Sequence, residues 1–160
     1  MKRFLLIATL SFAGAATALT PEEIEQYRAG AGMGYAKAAE LNHFPGPMHV
    51  LELAGPLGLS AEQRAATERL MQAHKEEARA LGVKLVAAEQ ALEQLFRSGP
   101  VGDAQLAKAV GEAARLQGEY RLSHLETHRR MRALLSEEQV KRYDTLRGYS
   151  SGTQHQHRKH

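Results

Sequence analysis

The sequence predicts an all-α protein built on a long antiparallel helical hairpin with short flanking helices. Three observations carry this expectation. Ala, Leu, Glu, Gln, Arg and Lys dominate a chain of 160 residues in which aromatic residues are 6% and Cys and Trp are absent, a balance that favours helices over a β-sandwich or an aromatic-lined pocket. Two long segments repeat apolar residues at alternating three- and four-residue steps, the signature of an amphipathic helix. A helix-opening motif, Leu59-Ser60-Ala61-Glu62-Gln63, recurs as Leu135-Ser136-Glu137-Glu138-Gln139. The absence of Cys also excludes disulfides, a thiolate nucleophile, iron–sulfur clusters and Cys-type zinc sites.

Taken in order, residues 1–18 read as a secretory signal peptide. Lys2 and Arg3 precede an apolar run from Phe4 to Phe12, and Ala16-Thr17-Ala18 supplies a small-x-small cleavage site. Loss of Lys2 and Arg3 with this leader lowers the net charge from +3 to +1, so the basic pI of 9.3 gives no argument for nucleic acid as a partner. An exported, Ala-rich, cysteine-free chain is expected in a bacterial periplasm. Residues 19–56 form an N-terminal region of short helices and loops. Thr20-Pro21-Glu22-Glu23 opens the first helix with a capping box and Pro at its first position, and Gly30 stops it. Gly30-Ala31-Gly32-Met33-Gly34 is followed by Tyr35, which breaks the G-x-G-x-x-G pattern of a phosphate loop; a flexible turn is expected instead. A second short helix is expected from Met48 to Ala54, with Pro47 in its first turn.

Residues 57–149 contain the hairpin. In each copy of L-S-x-E-Q, Ser60 or Ser136 accepts from the amide three residues on, and Gln63 or Gln139 reaches back to the Ser amide. Leu59 or Leu135 packs as a hydrophobic staple. The first copy opens a helix expected to run from Ala61 to Phe96. Ser98-Gly99-Pro100 ends it, and Asp103 is expected to cap a second long helix reaching Leu134; a last helix runs from Glu137 to Leu146. The apolar stripe of the first rod is Met71, His74, Ala78, Leu81, Leu85, Ala88, Leu92 and Leu95. That of the second is Leu106, Val110, Ala113, Tyr120, His124, Met131 and Leu134, interrupted by Gln117. Two helices alone bury too little for a stable monomer, so the short helices or a second copy of the chain must cover the stripe, and a homodimer is expected. Residues 150–160, with His155, His157 and His160, form a His-rich tail without apolar residues, expected to be disordered.

The hairpin sorts the eight histidines. If Leu95 faces Leu106, paired positions sum to about 200, which sets His74 opposite the level of His124 and His128, and Met71 opposite Met131. Imidazole and thioether without thiolate suit copper, particularly Cu(I); imidazoles with a carboxylate such as Glu126 suit Zn, Ni or Co. His49, on the short helix, is a further candidate ligand, although no spacing places it there. The alternative for the same residues is a packed helix interface, where Met and the occasional His are common. Catalysis finds no constellation: Ser60 and Ser136 are engaged as caps, and neither G-x-S-x-G nor H-E-x-x-H occurs. Arg121, Arg129, Arg130 and Arg132 read as a solvated face balanced by Glu119 and Glu126.

The leader, the paired L-S-x-x-Q turns, the helical hairpin and the closing Tyr143-Asp144-Thr145-Leu146-Arg147-Gly148-Tyr149 together resemble the bacterial Spy/CpxP superfamily, which includes CnrX-type heavy-metal sensors and ZraP-type zinc-binding proteins. The resemblance spans residues 54–149. It implies a periplasmic, all-helical, cradle-like homodimer without enzymatic activity that either binds or senses a transition metal or holds unfolded proteins without ATP. Partners it implies are unfolded periplasmic proteins and a membrane-bound sensor or anti-sigma protein. Two motifs depart from the CnrX-type pattern. The helix before the first turn carries only His49 where H-x-x-x-H stands in those sensors, and Thr127 lies four residues before Met131 where H-x-x-x-M would need His. Nickel or cobalt specificity therefore does not carry over.

Overall fold

The computed structural model describes residues 17–149; the segment expected to be a leader, apart from its last two residues, and the segment expected to be a disordered tail lie outside the described residues. Those described form helices α1 (Pro21–Ala29), α2 (Lys37–Glu40), α3 (Pro47–Glu52), α4 (Ala54–Leu57), α5 (Ala61–Arg97), α6 (Asp103–Leu134) and α7 (Glu137–Arg147), with no strand among them. Antiparallel α5 and α6 make the hairpin; α1 packs along the second half of α5, and α3, α4 and α7 lie over the half where α5 begins and α6 ends. No helix of the described residues is long and apolar enough to cross a membrane.

The expected boundaries are met closely where a side-chain cap fixes them. Thr20, Ser60 and Ser136 each close a complete capping box, with Glu23, Gln63 and Gln139 as the reciprocating residues. The boundaries shift where no cap acts. Gly102, not Asp103, is the N-cap of α6 and makes no side-chain bond; Asp103 is the first helical residue, where its charge still favours the positive end of the helix dipole. The single helix expected over Met48–Ala54 is two, since Leu53 departs from helical geometry and a second turn continues to the left-handed Gly58. The four-residue α2 was not expected at all.

The two motif glutamines do more than cap. Gln63 Nε2 donates to Gln139 Oε1 at 2.8 Å, and Gln139 Nε2 donates to Gln63 Oε1 at 2.9 Å. Each oxygen also accepts from its own Ser amide, and Gln63 Nε2 donates further to the Leu134 carbonyl at 2.9 Å. A cyclic amide pair thus clamps the start of α7 to the start of α5.

Two apolar clusters form the core. One joins Tyr27 of α1 to Ala78, Leu85 and Val86 of α5 and Leu116 and Tyr120 of α6. Its closeness depends on Gly82, where a Cβ would stand 1.9 Å from the Tyr27 carbonyl oxygen, so any side chain there would push α1 off the hairpin. The Gly30–Gly34 turn, expected to be flexible, is held by a 2.6 Å hydrogen bond from the Tyr120 hydroxyl to the Ala31 carbonyl. The second cluster contains Val50, Leu57, Met131, Leu135, Val140 and Tyr143, with Leu59 and Leu70 packed against it. The α6 stripe differs from expectation in one step: Val110 is 46% exposed while Leu116 is buried, because the three-residue step from Ala113 leads to Leu116 and leaves Gln117 outside, donating to the Tyr35 hydroxyl. On the basic face Arg129 and Arg130 pair with Glu126 as expected, whereas Arg132 pairs with Glu137 and the other expected carboxylate, Glu119, pairs with Arg115.

Candidate metal centre

Where α1 ends and α3 begins, the short helices leave a gap over the hairpin. This cavity of about 240 Å³ is lined by residues 30–32 of the α1 turn, by Gly46, Pro47, Met48 and His49, by Met71 and His74 of α5, and by His124, Thr127 and His128 of α6. Five of the six expected ligands are therefore brought together: His49, Met71, His74, His124 and His128. Met131 is not. It is fully buried in the second apolar cluster, against which Leu70 rather than Met71 packs, because the register that pairs His74 with His124 turns Met131 toward α3 and α7. The sequence missed Met48, half-exposed at the rim, and two supports described below, Gly46 and Glu40.

At the cavity's base, His74 Nε2 and His124 Nδ1 share a hydrogen bond of 3.0 Å, with the rings edge to face at 4.5 Å. The other two ring nitrogens, His74 Nδ1 and His124 Nε2, are buried without a hydrogen-bond partner. In the neutral pair one of these must be an N–H and the other a lone pair, whichever tautomer holds. Desolvation, with the nearby His128 adding to it, lowers the pKa of His74; desolvation and then the charges of His74 and His128 lower that of His124 to about 4. Both imidazoles are therefore neutral at neutral pH, the form that can ligate a metal.

The two outer histidines turn Nδ1 away from the cavity toward oxygen atoms of neighbouring segments. His128 Nδ1 lies 2.8 Å from the Phe44 carbonyl, which only accepts, so Nδ1 carries the proton and Nε2 the lone pair. Its ring sits so close to Gly46 that a Cβ there would come within 2.9 Å of Cε1 and 3.0 Å of Nε2; glycine makes room for it. His49 Nδ1 lies 3.3 Å from Glu40 Oε1 and 3.4 Å from the Tyr143 hydroxyl.

The donor set fits a transition metal in its chemistry: neutral imidazoles, thioethers, and buried ring nitrogens that no protein group satisfies. It is not a preassembled coordination sphere. Among the described residues no three His, Asp or Glu side chains already stand as a metal-holding group. Glu126, the carboxylate considered from sequence, is engaged with Arg129 and Arg130 on the outer face.

A family of heavy-metal resistance proteins matches residues 28–142, from the end of α1 into α7. The chain belongs to the heavy-metal resistance family. The match takes in the cavity, both capping motifs and the whole hairpin, which bears out the resemblance drawn from the L-S-x-x-Q turns. Proteins of this heavy-metal resistance family are typically periplasmic and generally non-enzymatic. No curated protein and no solved structure matches the chain.

Proposed function

We propose that this protein binds a transition metal ion in the cavity between the α1 turn, α3 and the hairpin, as an exported, non-catalytic heavy-metal resistance or sensing protein. The observation that carries the reading is the buried His74–His124 pair, whose two outer ring nitrogens have no partner in the protein while His49, His128 and Met71 line the same space. A buried polar atom left without a hydrogen bond costs about 1–3 kcal/mol; coordination removes that cost at the outer nitrogen that carries the lone pair. His49, His128 and Met71 would hold the ion together with either His74 or His124 while that pair keeps its shared proton, and with both once the shared bond is broken. When bound, it supplies the Lewis acidity that lets one centre draw in side chains from α3, α5 and α6. Imidazole with thioether favours copper, Cu(I) first, with Zn, Ni and Co as competitors. The basic, apolar leader and the family's usual location support a periplasmic site of action.

The test is to titrate metal-free mature protein with Cu(I), Cu(II), Zn(II), Ni(II) and Co(II) beside a His74→Ala/His124→Ala/His128→Ala variant. One tight equivalent in the wild type and its loss in the variant is expected. Equal, weak binding by both would overturn the helical site and leave the tail as the binder.

A second reading, an ATP-independent holdase for unfolded proteins acting as a homodimer, is favoured by the exposed apolar side chains of the hairpin: Phe96 at 61%, Leu122 at 62% and Val83 at 53%. Slowed aggregation of an unfolded client at stoichiometric amounts is expected on that reading. Failure to slow it removes the holdase role.

A further inference from the structure

Glu40 closes the four-residue helix α2, and nothing in the chain's pattern marks it. Its side chain is only 12% exposed, and its two oxygens are the meeting point of four separate segments. Oε2 accepts from the Gly46 amide at 3.0 Å and lies 3.5 Å from His128 Nδ1. Oε1 accepts from the Tyr143 hydroxyl of α7 and stands 3.3 Å from His49 Nδ1, which the Tyr143 hydroxyl itself approaches at 3.4 Å; the Tyr149 hydroxyl and the Arg147 guanidinium approach the same Glu40 oxygen at 3.5 and 4.0 Å. Burial and this contact push the Tyr143 pKa upward, so its hydroxyl stays a donor. Glu40 does not itself line the cavity. It sits behind His49 and His128, which do.

We infer that Glu40 is the positioning residue of this centre: its carboxylate holds His49 in the Nδ1–H tautomer with Nε2 open to a ligand, and places a negative charge behind the two outer imidazoles. The inference deepens the metal-binding reading and rests on it for the affinity arm alone. A histidine that ligates through one nitrogen needs its other nitrogen to donate, and a carboxylate there both fixes the ring and raises the basicity of the open nitrogen; loss of such a partner costs about 10–100-fold in metal affinity. His128 has a backbone carbonyl for this purpose. His49 has Glu40, whose anchoring by Gly46 and Tyr143 leaves the carboxylate little freedom to turn away.

The experiment compares wild type, Glu40→Leu, Glu40→Gln and Tyr143→Phe in two measurements on the mature chain. Long-range proton–nitrogen spectra of histidine-labelled, metal-free protein report each tautomer directly. Zn(II) titration by calorimetry reports affinity. Expected are His49 as Nδ1–H in the wild type, a shift to Nε2–H in Glu40→Leu with a 10–100-fold loss of Zn(II) affinity, and partial recovery of both in Glu40→Gln, whose amide oxygen still accepts. Tyr143→Phe removes a different partner of the same carboxylate and the 3.4 Å neighbour of His49 Nδ1; with Glu40 left in place as the acceptor, it should lower stability yet keep the His49 tautomer and bind Zn(II) within threefold. A wild-type His49 in the Nε2–H form, an unchanged tautomer in folded Glu40→Leu, or a Tyr143→Phe loss as large as that of Glu40→Leu would overturn the positioning role. Should Glu40→Leu fail to fold, a wild-type His49 in the Nε2–H form decides against it. If the wild type binds neither Zn(II) nor Cu(I) yet shows His49 as Nδ1–H, the metal reading fails and the positioning of His49 stands.

Discussion

Replacing both members of the buried histidine pair with leucine should make the metal-free protein more stable while destroying its metal site. In the wild type the pair gains one hydrogen bond, His74 to His124, worth about 1 kcal/mol net, and leaves two buried ring nitrogens without partners, at about 1.5 kcal/mol each. A single His74→Leu or His124→Leu removes one orphaned nitrogen and creates another by breaking the shared bond, so each single variant should lose about 1 kcal/mol. The double variant has no orphan and no bond to lose; it should gain about 2 kcal/mol, and leucine's similar volume keeps the packing around Tyr120, whose ring lies 4.8 Å from that of His124. Urea unfolding in the presence of a chelator at pH 7.5 measures all four proteins. The decisive result is the sign reversal between singles and double. If the double variant is less stable than the wild type by the sum of the two singles, the ring nitrogens are satisfied in solution and the strained-site argument for metal binding falls.

Acid should act through the same pair. The folded-state pKa of His124 is lowered to about 4 and that of His74 is lowered too, so the unfolded chain takes up protons first as pH falls below about 6.5. The stability these groups leave intact above pH 6.5 is lost on the way down to pH 4, by about 2 kcal/mol at pH 5 for His124 alone; urea midpoints at pH 7 and 5 read the loss, which should vanish in the double-leucine variant. Gln63→Ala and Gln139→Ala should each cost about 2 kcal/mol, and the double variant less than the sum by at least about 1 kcal/mol, because either single change already breaks the cyclic amide pair; additive costs would mean that the two caps act independently. Gly82→Ala should cost about 1–3 kcal/mol and expose the chain before Gly30 to limited proteolysis, since the Tyr27 carbonyl must move away. Met71→Leu should weaken Cu(I) binding about tenfold and spare Zn(II), whereas Met131→Leu should leave both unchanged; the opposite pattern would return Met131 to the site.

Local signals proved reliable where one short stretch satisfies its own hydrogen bonds. Thr20, Ser60 and Ser136 were legible as caps because donor and acceptor lie three residues apart, and they set the starts of α1, α5 and α7. The hairpin followed from the stripe and the short turn, and its register was close enough to bring His74 to His124. The same periodicity misplaced Met131 and Val110, since a step of three or four residues turns a side chain by a large fraction of a helix circumference. Glu40 and Gly82 left no trace in the pattern. One matters through partners 6–109 residues away, the other through the close crossing of a helix more than 50 residues earlier.

By itself the amino-acid sequence determined the helices, the antiparallel rods, the exclusion of thiolate chemistry and the pool of imidazole and thioether donors, because composition, capping and periodicity act within a few turns of chain. Tertiary structure alone decided which donors share a cavity, which ring nitrogens lie open, that the two capping glutamines bind one another, and that Glu40 stands behind His49. These depend on how α1, α2 and α3 lie across the hairpin, and that crossing is set by side-chain volumes and hydrogen bonds between residues far apart in the chain.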